Sequence, residues 1–333
     1  MKDPTQKTEL YSLIQQEMEK PSHPAVGVFR DYLKEYYPSV LGILFYGSCL
    51  WNIDQQSQNL GDNLFDFYVL VPGYTGMYQN KVQAFANWLL PPNVYYIELK
   101  WEGQLIRAKY AVISLEQFRR GNAGYSLQSA LWARFCQPVR LVFAVDETVR
   151  QKIIAILSQA VIAMIGHSLP LVPQVFSPAL LWVSGFQQTY KAEIRVEKNN
   201  RTTQLYQRSQ EYYDLLTTAA FKGFPTIIAH NREENYFVKA GSSTSQQYLK
   251  RSVNKLGWFS RRLVGKALNV LRLIKALFTF QGALPYALWK IKRHSGIDIP
   301  VSAWNLRHPF LSLPVLLGRF YGRHRKQKKM EKE

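Results

Sequence analysis

Val40-Leu41-Gly42-Ile43-Leu44-Phe45-Tyr46-Gly47-Ser48, followed after a polar stretch by Leu64-Phe65-Asp66-Phe67-Tyr68-Val69-Leu70-Val71, decides how the chain is read. Residues 40–46 form a short apolar run with strand character that stops at Gly47-Ser48. Residues 65–71 form a second, closed by Pro72-Gly73-Tyr74. The polar residues 54–63 between them read as a loop.

The flanks agree with a layered α+β body. Leu10, Leu13, Ile14 and Met18 recur at helical spacing, and Pro21-Ser22-His23-Pro24 breaks the pattern before a second short helix that ends at Pro38-Ser39. A helical stretch at 81–90 stops at Pro91-Pro92. Residues 94–101 and 106–114 then pair across Glu102-Gly103 as a hairpin, and residues 139–145 supply a further strand. The expectation for residues 1–145 is an α+β domain with a mixed sheet of about five strands.

From residue 147 the period changes to that of a helix, so residues 146–250 are expected to be mainly helical. A second helix there is expected over residues 179–201, with Tyr190, Glu193 and Glu197 close to one face and Arg195 on another. For Arg195 a salt bridge and a role in a substrate cleft both stay open. Residues 230–247 read as a solvated connector.

Composition bounds the function. The 333 residues are 47% hydrophobic and 14% aromatic, which excludes collagen-like, low-complexity and disordered chains. Cys49 and Cys136 are the only cysteines, too few for a zinc knuckle or a disulfide framework, and a reducing compartment fits. Cys49 reads as a small buried filler. His23, His167, His230, His294, His308 and His324 show no metal-ligand spacing. Residues 1–15 lack the apolar run of a secretory signal. No stretch is read as reaching about 18 uncharged apolar residues, so a spanning protein is not expected.

The formal net charge is +19, and residues 251–333 hold 18 of the 42 Lys and Arg but only 3 of the 23 Asp and Glu. On a helical wheel over residues 251–280, Arg251, Lys255, Arg261, Arg262, Lys266, Arg272 and Lys275 fall in one half-circle. Leu256, Leu263, Val264, Ala267, Val270, Leu271, Ile274 and Phe278 fill the other half. That is the pattern of a helix lying in a lipid headgroup layer, with Tyr286 to Arg293 continuing it. The same pattern also fits a helix whose apolar face packs on the body. No nucleic-acid partner is expected, because no aromatic platform or motif accompanies the charge.

The chemistry sits at the opening stretch. A strand ending in Gly-Ser, a loop and a carboxylate at the start of the next strand is what nucleotidyl transfer on a polymerase-β-like core requires. Gly47 lets backbone approach a triphosphate, Ser48 adds a donor, and carboxylates on adjacent strands hold Mg²⁺. An ordinary strand-to-helix turn beside a strand-edge acid fits the same residues. Two features depart from the superfamily pattern: the long spacing from Gly47 to Asp66, and Leu64 and Tyr68 where an alternating acid pair would place a second carboxylate. Glu98 is the first candidate for a further metal ligand, ahead of Asp62 and Asp54.

Five ordered blocks, Tyr46-Gly47-Ser48, Asp66 to Val71, Asn93-Val94-Tyr95-Tyr96, Lys109 to Ser114 and Arg134 to Val139, resemble the mitochondrial-type phosphatidate cytidylyltransferase family, also called the translocator assembly and maintenance family. The resemblance covers residues 40–145 well and 184–201 more loosely; the tail matches only in being basic and helical. Lacking a transit peptide, the chain looks like a bacterial-type member.

The resemblance implies a peripheral enzyme of phospholipid biosynthesis, in the cytoplasm on the inner face of the cytoplasmic membrane. It would condense CTP with phosphatidic acid to CDP-diacylglycerol and pyrophosphate with Mg²⁺. By the same resemblance Gly47 and Ser48, with Tyr46 and Tyr110, would bind the nucleotide and Asp66 would ligate magnesium, Glu98 remaining the candidate for a further ligand from its place in the next strand. Lys109 and Arg134 would contact phosphates, although a surface ion pair is open for both. Residues 251–333 would form the part that meets the anionic membrane surface. The other readings are a nucleotidyltransferase with a different acceptor, and a catalytically silent scaffold that binds anionic lipid or nucleic acid.

Overall fold

A computed structural model of the chain describes residues 4–53, 60–75, 77, 81–193, 201–222, 227–230, 235–238, 244–279 and 302. Helices α1 (Pro4–Glu19) and α2 (Ala25–Tyr36) lead into strand β1 (Gly42–Tyr46), the one-turn helix α3 (Cys49–Asn52) and β2 (Leu64–Val71). Helix α4 (Lys81–Leu89) is followed by β3 (Asn93–Trp101), β4 (Gln104–Ser114), α5 (Leu115–Asn122), α6 (Trp132–Phe135) and β5 (Arg140–Ala144).

The five strands form one mixed sheet in the order β3-β4-β2-β1-β5, with β2 and β4 parallel and the other neighbours antiparallel. The expected α+β class and five-stranded mixed sheet are therefore observed. The β3–β4 hairpin closes across Glu102 (φ 47°) and Gly103 (φ 75°), two consecutive left-handed residues of the kind whose twist suits a two-residue hairpin loop.

Alternation along the strands sends side chains to two cores. Phe65, Phe67, Val69 and Val71 of β2 face α2, where Phe29 packs on Phe65 and Phe67 with ring centroids 5.3 and 5.5 Å away. Tyr68 and Leu70 face the opposite side, which is built on α7 (Glu147–Ser168). Asp146 caps α7 by accepting from Val149 N at 2.7 Å. Burying apolar residues on most of its circumference, α7 packs against α1, α5, α6, α8 (Pro178–Ala192) and α10 (Gln210–Phe221). Contrary to the sequence expectation, α7 is long and apolar enough to cross a membrane, but it is the central helix of this core. Residues from Leu10 to Trp258 share that single buried cluster.

The helical half differs from expectation in two ways. Helix α8 stops at Ala192, Glu193 is extended, and Arg195 and Glu197 lie outside the described residues. A second, three-stranded sheet also forms, from β6 (Val175–Phe176), β7 (Ile227–His230) and β8 (Asn235–Val238), where part of a connector was expected. The short α9 (Arg201–Gln207) precedes α10, and the chain continues into α11 (Thr244–Thr279), 36 residues long.

Helix α11 turns much of its basic face inward. Trp258 is buried and donates to His167 O at 3.3 Å, and Arg261 is 8% exposed beside the His167 ring. The apolar side points out, with Leu256, Phe259 and Leu263 each more than 60% exposed. The expectation that the basics as a set reach lipid headgroups is thus corrected for Arg261, Arg262, Arg272 and Lys275, which bond to the body. Lys255 and Lys266 remain exposed. Tyr286 to Arg293 lies outside the described residues.

Candidate active site

Strand register decides which of the expected residues meet. Tyr46 on β1 pairs with Asp66 on β2, Asp66 with Lys109 on β4, and Lys109 with Tyr96 on β3. Residues paired in this way share a sheet face, so these four form one row across the sheet on the α7 side.

At the β1 end of the row the chain turns sharply at Gly47, whose φ is +92°. A Cβ placed there would lie 3.0 Å from Asp66 Oδ2, tighter than side chains normally tolerate, so glycine is what lets the turn abut the carboxylate. Ser48 follows, exposed, with no capping bond from its hydroxyl. Helix α3 is only four residues long and offers little dipole. Cys49 is buried as expected, with its thiol 3.0 Å from Leu64 O.

Asp66 is partly exposed, and Lys109 Nζ stands 3.0 Å from its Oδ1. The contact has the distance of an ion pair without hydrogen-bond alignment, which leaves Oδ1 buried with no hydrogen-bond partner among the described residues. Arg134, at the end of α6, donates from Nη1 to the Tyr68 phenol at 3.1 Å and lies over the Tyr46 and Tyr68 rings, 5.5 and 5.9 Å from their centroids. Burial works against its charge, but Tyr68, Tyr46, Glu193 and Asp66 outweigh that and hold its pKa above the ordinary value. Tyr68 occupies the position where an alternating acid pair would carry its second carboxylate, and it positions an arginine instead.

The structure therefore brings Tyr46, Gly47, Ser48, Asp66, Lys109 and Arg134 together. It separates Tyr110 and Glu98 from them. Tyr110 is next to Lys109 on β4, so its side chain goes to the other face, where it is 4% exposed, stacks on Tyr95 and lies 3.3 Å from the Tyr37 hydroxyl. Glu98 shares the correct face, but it pairs with Arg107 at 2.9 Å and accepts from the Tyr96 hydroxyl at 2.7 Å. It lies two strands, roughly 10 Å, to the side of Asp66 and about 7 Å along the strand direction. One ion with metal–oxygen bonds of about 2.1 Å cannot bridge the two. Asp62 is exposed in the β2 approach, and Asp54 lies outside the described residues.

Among the described residues no three His, Cys, Asp or Glu side chains converge. Magnesium is commonly held by one or two carboxylates together with substrate phosphates, and the Asp66 carboxylate, with Oδ2 against the Gly47 turn and Oδ1 held only by the Lys109 ion pair among the described residues, suits that role.

Arg272, which the sequence placed among membrane-facing basics, is the residue that sequence reasoning missed here. Burial lowers its pKa; Tyr68 and Glu193 oppose that effect while Arg134 adds to it, so this α11 side chain borders the same cluster. Its position in a continuous basic stripe gave no hint of that place.

Models of known protein families produce no match to this chain, and no curated protein matches it.

Proposed function

We propose that the protein is a Mg²⁺-dependent nucleotidyltransferase with a polymerase-β-like core, and that its substrates are CTP and phosphatidic acid. The observation that carries the reaction class is the abutment of the Gly47 turn on Asp66, flanked by Lys109 and Arg134. The choice of nucleotide and lipid rests on the five sequence blocks that resemble the cytidylyltransferase family.

In the proposed reaction a phosphate oxygen of phosphatidic acid attacks the α-phosphorus of CTP. The bond from that phosphorus to the bridging oxygen breaks, and pyrophosphate leaves with the electron pair. The attacking group is already an oxyanion, so no general base is required. Magnesium, when bound, would neutralise the triphosphate and align it, and Asp66 would hold it. Gly47 and Ser48 present backbone N–H groups and a hydroxyl to the phosphates. Lys109 exchanges its contact with Asp66 for a phosphate oxygen. Arg134, kept charged by its surroundings, offers the rest of its planar fork to a phosphate. Catalysis on this account is positioning and charge neutralisation.

The outward apolar side of α11 supports a protein that rests on a membrane, in keeping with a lipid substrate on the inner face of the cytoplasmic membrane. A second reading, a silent anionic-lipid scaffold, is favoured by one observation: Asp66 is the only carboxylate in the row.

The test is pyrophosphate release by purified protein supplied with each nucleoside triphosphate in turn, with and without phosphatidic acid vesicles. The proposal expects release with CTP, Mg²⁺ and lipid together and its loss in Asp66→Asn. Vesicle flotation without turnover of any nucleotide points to the scaffold.

A further inference from the structure

Three segments far apart in sequence expose apolar side chains and are tied together by two basic side chains of α11. Arg272 donates from Nε to Pro91 O at 2.9 Å, just past α4, and from Nη2 to the Gln128 side chain in the loop after α5. Lys275 donates to the carbonyls of Leu90 and Pro92. Directly beside these contacts in the chain stand exposed side chains: Phe85, Trp88 and Leu89 on α4, Tyr125 and Leu127 in the loop, and Leu271 on α11. Phe85 and Trp88 stack with centroids 5.8 Å apart and are 59% and 58% exposed. Each of the three segments thus carries exposed apolar side chains, and the side chains of Arg272 and Lys275, buried or half-buried, join the segments.

Charge indicates what covers this surface. Residues 81–97, 117–145 and 244–279 contain no Asp or Glu, although the chain has 23. Exposed Lys81, Lys255 and Lys266 lie on the same segments. Aromatic and aliphatic side chains accompanied by lysines and no acids match the headgroup layer of an anionic bilayer, where Trp in particular is favoured.

We propose that α4 and the loop at 125–128 enter the headgroup layer alongside α11, so that the protein docks on an anionic bilayer through three segments rather than one. This rests on the proposed reading of a lipid substrate and adds α4 and the loop as contact elements.

The experiment is flotation with vesicles of phosphatidylcholine containing phosphatidic acid, comparing the full-length protein with the double variant Phe85→Ser and Trp88→Ser. Partitioning is expected to fall at least about tenfold, given the apolar area withdrawn. In parallel, vesicles with brominated acyl chains should quench fluorescence in the wild type, and the quenched fraction should drop in Trp88→Phe. Equal partitioning together with unchanged quenching overturns the proposal. So does a wild-type dimer in sedimentation that the double variant converts to a monomer, because a second copy would then be the occupant. If the double variant fails to fold, the Trp88→Phe quenching comparison decides alone. Asp66→Asn should float like the wild type, so loss of docking and loss of transfer chemistry are read separately.

Discussion

Replacing Gly47 with alanine isolates the contact on which the site depends, and Gly103 provides the matched control. Both glycines have positive φ, +92° and +75°, so a Cβ at either forces a conformation that costs about 1–2 kcal/mol. At Gly103 no atom of the described residues lies within 4 Å of the new atom, so backbone strain is the expected effect. At Gly47 the new Cβ also meets Asp66 Oδ2 at 3.0 Å, with the aspartate Cβ at 3.4 Å and Cγ at 3.6 Å. The obstacle is held on a central strand with neighbours on both sides, so the carboxylate rather than the strand must move. A shift of a few tenths of an ångström hardly matters to stability but would misplace the proposed metal ligand. Both variants should therefore lose a similar 1–2 kcal/mol in urea denaturation, roughly. In calorimetric titration with Mg²⁺ and CTP, Gly47→Ala should bind at least about tenfold more weakly, while Gly103→Ala should bind like the wild type. Indistinguishable binding by the two variants would refute the role given to the Gly47–Asp66 contact.

Three further outcomes are expected. Lys109→Ala should change stability by less than about 1 kcal/mol, because its ion pair with Asp66 is partly exposed, yet it should weaken CTP binding in the same titration. Glu17→Ala should cost about 3–5 kcal/mol in urea denaturation, since it removes the counter-charge of Arg140, which is 7% exposed, bonded to Glu17 Oε1 at 2.7 Å and otherwise held by the Glu17 and Val139 carbonyls; Glu17→Leu with Arg140→Met should recover most of the loss. Burial and Arg272 push the Lys275 pKa down to about 7. Between that value and the unfolded value of about 10.4 the unfolded chain binds a proton that the folded chain releases, so this group makes stability rise with pH through that window. A melting temperature that rises less steeply from pH 7 to 10 in Lys275→Met is the expected signature.

Much of the sheet was legible because its signals are local. Glu102-Gly103 fixed the hairpin, and the apolar runs at 40–46 and 65–71 became β1 and β2. The same local rules already separated two of the expected site residues. Period-two alternation sends adjacent Lys109 and Tyr110 to opposite faces. A two-residue turn that pairs Trp101 with Gln104 places Glu98 opposite Arg107, an obvious ion-pair partner.

What sequence did not show was non-local. The parallel pairing that sets Asp66 beside Lys109 comes from a crossover through α4 and β3, and its register is a tertiary outcome. The two residues of β6 are too few to display alternation. The helical wheel divided α11 into its faces but not into inside and outside. Burial of the basic side became possible because α4 ends at Pro91-Pro92, leaving the carbonyls of Leu90, Pro91 and Pro92 for Arg272 and Lys275 to satisfy.

The central claim is that Asp66 beside the Gly47 turn serves nucleotidyl transfer, and pyrophosphate release tests it most directly. With CTP, Mg²⁺ and phosphatidic acid vesicles, the wild type should release pyrophosphate and Asp66→Asn, folded to the same melting temperature within a few degrees, should release none above background. Equal release by the two proteins, or none from the wild type with any nucleoside triphosphate, contradicts it.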